Sequence, residues 1–445
     1  MAGLSLEEWR SVGFEEEGLL RGVELSPRAS ELAEALTTSG RLKIDEHRKG
    51  LRLQATSFVG RVDLGELTIT VEPKIARRDL LRLFEYAYGL DDLHLYDDTS
   101  YGATDVLFVD LVVQRLLLEV RRLRERGLHR AYVRVAEDLG SPRGGIDMSR
   151  IVGAIASGSA LVPCVHHPRA EDHLLNRVLK AGLLVAARVA NGSAIRVAAM
   201  RAAATFEGIA TVPLSEALLA RCEHALDRRV LHYAPMLRLV EILWSGTSLD
   251  MERENHRVEV PGFLYDMNRF WQVLLGRLLR ENLEDVTVVE DRALRGVLRY
   301  SQGFHHPKFR APTARPDFVL TRDGKTVAVL DAKYRDLWRR ELPPSMLYQL
   351  AVYASVQGPG GVATILYPAH SADAREVRIE VCPPGWAGPA AATVVLRPVH
   401  VARLAEAVGS HASSERGRWV RTLVGFSEAG STSSTALRGV TAPRS

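Results

Sequence analysis

Cysteine is scarce in this 445-residue chain: Cys164, Cys222 and Cys382 stand far apart, with no Cys-x-x-Cys spacing. That argues against a disulfide framework and against zinc sites, and leaves each as a small core residue or an incidental thiol. Long apolar runs are missing as well. None approaches the roughly 18 residues needed to cross a bilayer, and the start, Met-Ala-Gly-Leu-Ser-Leu-Glu-Glu-Trp, lacks a basic segment followed by an apolar one. A cytoplasmic chain with no membrane segment is expected. Neither sign of charge is in large excess: 58 Lys and Arg face 54 Asp and Glu, a formal +4. Any surface that attracts a polyanion must therefore be local. A nucleotide-binding P-loop is also absent. Gly324-Lys325-Thr326 has the ending of one, but position 319, where the motif needs glycine, is Val.

What is present is an ordinary globular composition, 46% hydrophobic and 25% charged, long enough for two or three domains. Residues 1–40 have helix-like apolar spacing and read as an amino-terminal extension, with a short amphipathic helix at Leu32–Leu36. From Leu42 the pattern alternates, through Leu51–Val62 and Leu67–Ile75, as in a β-rich module whose last strand Pro73 closes. A helix over 79–89 ends at Gly89, and a longer one is expected from about 105 to 135. Its polar face, with Arg121, Arg122, Arg124, Glu125 and Arg126, reads as solvated. After a glycine-rich loop, Gly140–Asp147, helical patterns return from Asp172 and from Leu214 to Trp244. Ser245-Gly-Thr-Ser reads as a linker. The pairs His166-His167 and His305-His306 fall in expected loops without the i,i+4 spacing of a zinc site, and receive no role. Beyond the linker come a buried helix from Phe263, a strand at Val286–Glu290, a hairpin, a helix from Ser345 and a strand ending at Pro368. The expectation is an α/β fold: a β-rich and helical part over 41–245, a mixed sheet flanked by helices over 246–410, and a largely disordered tail over 411–445.

The hairpin carries the chemistry. Apolar runs Phe318–Leu320 and Val327–Leu330 flank a turn at Asp323-Gly324. A three-residue loop, Arg322-Asp323-Gly324, would pair Thr321 with Lys325 and put Asp317, Asp331 and Lys333 on one face, with Asp317 beside the Val329/Asp331 level. A two-residue loop would put Asp317 on the other face, so the odd loop is expected. Two carboxylates and a lysine at the end of a buried hairpin suit magnesium, which takes oxygen ligands, keeps several waters and needs only one or two carboxylates plus substrate phosphate. Such a cation stabilises charge on a phosphodiester and acidifies a water that Lys333 can hold.

Several stretches together carry a family resemblance. They are Phe58-Val-Gly60, Ile69–Ile75, Arg126–Tyr132 before Pro142-Arg143-Gly144, Asn176–Lys180, Asp266–Phe270 and Leu330–Tyr334. The carboxy-terminal half resembles the PD-(D/E)xK nuclease fold through Pro316-Asp317 and Asp331-Ala332-Lys333, with Gln349 where such nucleases often place an accessory Gln. The ordered set from about 50 to 370 is similar to the McrC family, the nuclease subunits of modification-dependent restriction systems. This resemblance implies a magnesium-dependent DNA endonuclease acting on methylated or foreign DNA in anti-phage defence. It also implies a McrB-like AAA+ GTPase ring as partner, entered through the amino-terminal part and stimulated by it. On this basis Asp317 and Asp331 bind Mg2+, the Ala332 carbonyl adds a ligand, and Lys333 and Gln349 assist. An adaptor that only activates the ring, and a standalone repair nuclease, are the alternatives. One departure stands out: the family's first nuclease helix commonly offers a glutamate where this chain has Gln272, with Glu290 as a possible substitute.

Overall fold

The structure is a computed structural model that describes residues 2–90, 108–250, 257–259, 261–301, 308, 310–382, 385, 388–409 and 413–426. The chain divides into two compact units, one formed by Met1–Arg77 with Tyr88–Met267 and one by Arg78–Ala87 with Asn268–Ser445. Among the described residues no helix is long and apolar enough to cross a membrane.

The first unit opens with strands where helical spacing was expected. Ala2–Glu7 buries Leu4 and Leu6 and runs parallel to Leu67–Glu72. The spacing misled because this pairing is made with a partner more than 60 residues away. The sheet continues through Phe58–Asp63 to Gly262–Asp266. Gly60, at φ +134°, permits the last pairing, since a Cβ there would stand 2.1 Å from the Phe263 carbonyl oxygen. Phe263–Asp266 is accordingly a strand, and the expected buried helix begins only at Met267. A second sheet orders Ser11–Gly13, Gly50–Ala55 and Leu42–His47. Helix Pro27–Thr38 closes on this core with Leu32, Ala33 and Leu36.

Helix Phe108–Arg126 stops well short of 135, because Gly127 takes φ +88° and the chain then enters Ala131–Tyr132, paired with Arg169–Ala170. Ser245–Thr247 is no linker: it is the last turn of helix Ala234–Thr247, where Ser245 and Thr247 hydroxyls donate back to the Ile242 and Trp244 carbonyls. A small sheet, Val135–Leu139, Val162–His166 and Gly145–Ile146, carries helix Met148–Ala156. His166 belongs to its middle strand, buried and 2.6 Å from Glu137, rather than to an exposed loop. His305 and His306 lie outside the described residues.

The second unit is built on one six-stranded mixed sheet in the order Thr287–Glu290, Phe318–Arg322, Lys325–Ala332, Gly361–Ala369, Ala392–His400, Val377–Val381. The first three strands are antiparallel, and the next two pairings are parallel. A parallel pair needs a crossover, supplied between Lys325–Ala332 and Gly361–Ala369 by helix Pro344–Ser355. Val319, Val329, Ala363, Ile365 and Val394 pack with Leu350, Tyr353 and Ala354 of that helix. On the other face, helix Met267–Asn282 approaches closely at Gly276, beside Phe318 and Glu290, and the Trp271 indole donates to the Leu366 carbonyl at 3.0 Å. Gly361–Ala369 runs through Pro368 instead of ending there. Ser413–Leu423, counted with the tail, is a helix that buries Trp419, Val420 and Leu423. The tail from Ser427 lies outside the described residues.

Candidate active site

The hairpin turn is Asp323-Gly324, both with positive φ (49° and 74°), and it closes on the pair Arg322 and Lys325. That is a two-residue loop of the kind Asp-Gly favours, so the expected three-residue loop is wrong. Parity is restored further along. Thr321 pairs with Thr326 but Leu320 pairs with Ala328, leaving Val327 as an extra residue in a β-bulge. From there Val319 meets Val329 and Phe318 meets Leu330. Continuing this register sets Asp317 opposite Asp331 on the face of Val319 and Val329, against helix Pro344–Ser355. The two carboxylates are brought together by the bulge, not by the turn.

Asp331 is almost wholly buried, at 2% exposure. Its Oδ2 lies 2.8 Å from Lys333 Nζ, although without an aligned hydrogen bond to satisfy that oxygen. Asp317 Oδ2 accepts the Ala332 backbone N–H at 2.6 Å, and Lys333 N–H donates to the Leu366 carbonyl at 3.2 Å. Burial, and then the facing Asp331, push the Asp317 carboxyl up to about 6. Burial also raises Asp331, against the opposing influence of Lys333. Burial disfavours the Lys333 ammonium, but Asp331 and Asp317 outweigh it and raise its pKa. The chain thus concentrates negative charge that a further cation would relieve.

Gln349 reaches this site indirectly. Its amide donates to the Tyr353 hydroxyl at 2.6 Å, and Tyr353 donates to the Arg315 carbonyl at 2.9 Å, holding the segment that leads into Asp317. Gln272 sits half-buried on the helix Met267–Asn282. Glu290 does not substitute for it: Glu290 pairs across from Phe318, on the face away from Asp317, and bonds Arg280. The neighbouring Asp291 is the acid that sequence reasoning missed. Its N–H donates to the Asp317 carbonyl at 3.1 Å, it carries a left-handed φ of 48°, and its charge raises the Asp317 pKa further. Period-two alternation past Glu290 was the signal for it. Among the described residues no three His, Cys, Asp or Glu side chains form a metal-holding group. The donor set is therefore a carboxylate pair, a number that suits magnesium, which keeps several waters, better than a fully protein-caged ion.

Residues 53–368 match the family described as McrBC 5-methylcytosine restriction system component. The chain belongs to that family. A solved half-complex from a tetradecameric assembly of Thermococcus gammatolerans McrB AAA+ hexamers with bound McrC contains a chain of similar fold. The TM-score is 0.58 at 19% identity, over 95% of this chain and 100% of that one. A cryo-EM structure of the Thermococcus gammatolerans McrBC complex matches 66% of this chain and 90% of that one, with a TM-score of 0.44 and 20% identity. No curated protein matches the chain.

Proposed function

We propose that this McrBC-family chain is the nuclease subunit of a modification-dependent restriction system. It cleaves methylated or foreign DNA with magnesium and works with an McrB-like AAA+ GTPase whose hydrolysis it stimulates. The observation that carries this reading is the convergence of Asp317, Asp331 and Lys333 at one strand end, which supports a PD-(D/E)xK-type site. Family membership supports the restriction context, and the complex of McrB hexamers with McrC suggests the partner.

Asp317 and Asp331 would hold the cation, with the Ala332 carbonyl beside them. When bound, the metal supplies positive charge to the scissile phosphodiester and makes the attacking water more acidic. Asp317 is positioned by the Ala332 N–H, and Asp331 by burial and by Lys333. Lys333, its pKa raised, is an ammonium at neutral pH. It serves as a donor that orients the water and steadies charge on the phosphate, rather than as a base. Tyr353 and Gln349 fix the approach to Asp317.

The test is cleavage of methylated and unmethylated plasmid by the chain with and without its AAA+ partner, magnesium and GTP, alongside Lys333→Ala. Cutting of methylated plasmid only in the full mixture, lost in the variant with GTPase stimulation intact, is expected. GTPase stimulation with no cleavage under any condition would make the chain an adaptor. Cleavage by the chain alone would make it a standalone nuclease.

A further inference from the structure

Three segments leave the acidic pair, and all three are tied to one core. The loop that starts at Asp291 and returns at Asp317 is closed by the Leu294 N–H bond to the Ala314 carbonyl at 2.9 Å. Lys333 leads directly into the segment containing Leu337, and helix Pro344–Ser355 contributes Leu347 and Leu350. Leu294, Val297, Leu337, Leu347 and Leu350 belong to the same apolar cluster as Tyr353, so the three segments share one core. In two of them the residue after the anchored one is an exposed aromatic. Trp338 follows Leu337 and is 41% exposed, while Tyr348 follows Leu347 and is 69% exposed. Tyr300, 44% exposed, stands in the first loop. Between Arg292 and Pro316 the sequence has six Lys and Arg and no Asp or Glu, in a chain whose overall charge is nearly balanced.

We infer that this rim holds an unpaired stretch of DNA beside the cutting site, with phosphates on the exposed Arg292, Arg295 and Arg299 and bases stacked on Trp338 and Tyr348. The inference rests on the nuclease reading of the same site and adds the form of its substrate. In an intact duplex the base faces are covered by their neighbours, and what a protein meets is phosphate and groove edge. Arginines alone suffice for that. Planar apolar rings standing out of a cationic surface match the exposed faces of unstacked bases, the combination found in single-strand binders.

The test is binding, so it does not depend on catalysis. A full-length Asp331→Asn chain in chelator is titrated with a labelled single strand and with the duplex of the same sequence. Trp338→Ala and Tyr348→Ala should each weaken single-strand binding about tenfold and change duplex binding by less than about twofold, with Trp338→Phe close to the parent. Both side chains are exposed, and unchanged melting of each variant checks that folding is preserved. Equal losses on both DNA forms, or no loss on either, overturn the inference. So does a loss confined to binding of the AAA+ partner, which would make the rim a protein-docking surface. If no DNA is ever cut but the single-strand losses appear, the strand-binding rim stands and the nuclease reading falls.

Discussion

Asp317→Asn should make the protein more stable at neutral pH while abolishing cleavage. Burial and the facing Asp331 raise this carboxyl from its ordinary 3.8 to about 6. The folded chain therefore holds the proton more tightly than the unfolded chain does. The stability contributed by this group is greatest in acid, declines as pH rises from about 4 through about 6, and is lost above that. A shift of this size corresponds to about 3 kcal/mol at about 1.4 kcal/mol per pH unit. Asp317 is only half-buried and shares its titration with Asp331, so screening and coupling bring the expected figure to about 1–2 kcal/mol. Asparagine is nearly the same size and keeps an oxygen for the Ala332 N–H. Urea unfolding in chelator, followed by tryptophan fluorescence, should show the variant more stable than wild type by that amount at pH 8, with most of the difference gone near pH 4. Added magnesium should then raise the midpoint of wild type but not of the variant. A variant equal to or less stable than wild type at pH 8, or a gain that persists undiminished in acid, would refute the reasoning. The fold tolerates this cost because the site requires two carboxylates together.

Three further outcomes follow from the geometry. Deleting Val327 takes out the residue that the two-residue turn cannot accommodate and leaves Leu320 opposite Ala328 and Asp317 opposite Asp331 in an unbroken ladder, so cleavage should survive, whereas inserting one residue after Val327 should abolish it; a deletion chain that folds but no longer cuts would show that the bulge does more than set parity. Gly144→Ala should cost about 1–3 kcal/mol, since Gly144 has φ +75° and a Cβ would stand 2.6 Å from the Val165 carbonyl oxygen. Faster amide exchange in strand Val162–His166 is its readout. Asn176→Ala should lower stability by about 2–3 kcal/mol, because it strips partners from the His129 and Glu171 carbonyls and the Tyr233 hydroxyl, all within 2.8–3.2 Å of a wholly buried amide. A melting temperature unchanged by this substitution would count against that network.

Much of the second unit could be read from the sequence because its signals are local. Short apolar runs mark Phe318–Leu320 and Val327–Leu330, Asp-Gly marks the turn, and the helix from about Ser345 announces itself by composition. The first unit was less legible. Ala2–Glu7 gains its strand character from a parallel partner at Leu67–Glu72, and nothing within six residues announces that pairing. The linker reading at Ser245 failed for the opposite reason. Small polar residues imitate a linker, yet their hydroxyls here bond back into the preceding helical turn. Two of the stretches that carried the family resemblance turn out to be structural: Asn176 and Tyr233 together pin the chain at His129, just before it enters the small sheet.

In the hairpin the two acids share a face, as expected, but by a different local route. Requiring Asp317 and Asp331 on one face demanded one residue more than a two-residue turn provides, and the extra residue was assigned to the loop. Turn chemistry argued otherwise, since Asp323 and Gly324 are the pair that suits two consecutive positive φ angles. Both constraints are met when the odd residue moves into the strand as Val327. The displacement also changes the level at which the acids meet. In the expected register Asp317 faces Val329 and is diagonal to Asp331, whereas the bulge brings the two directly opposite. Burial raises both carboxyl pKa values, and direct opposition lets Asp331 push the Asp317 carboxyl up further. The irregularity in the ladder is thus the element that turns two acidic residues into a cation-attracting pair. For the same reason Asp291, across from Asp317, belongs to the site's charge while Glu290, one residue earlier, does not.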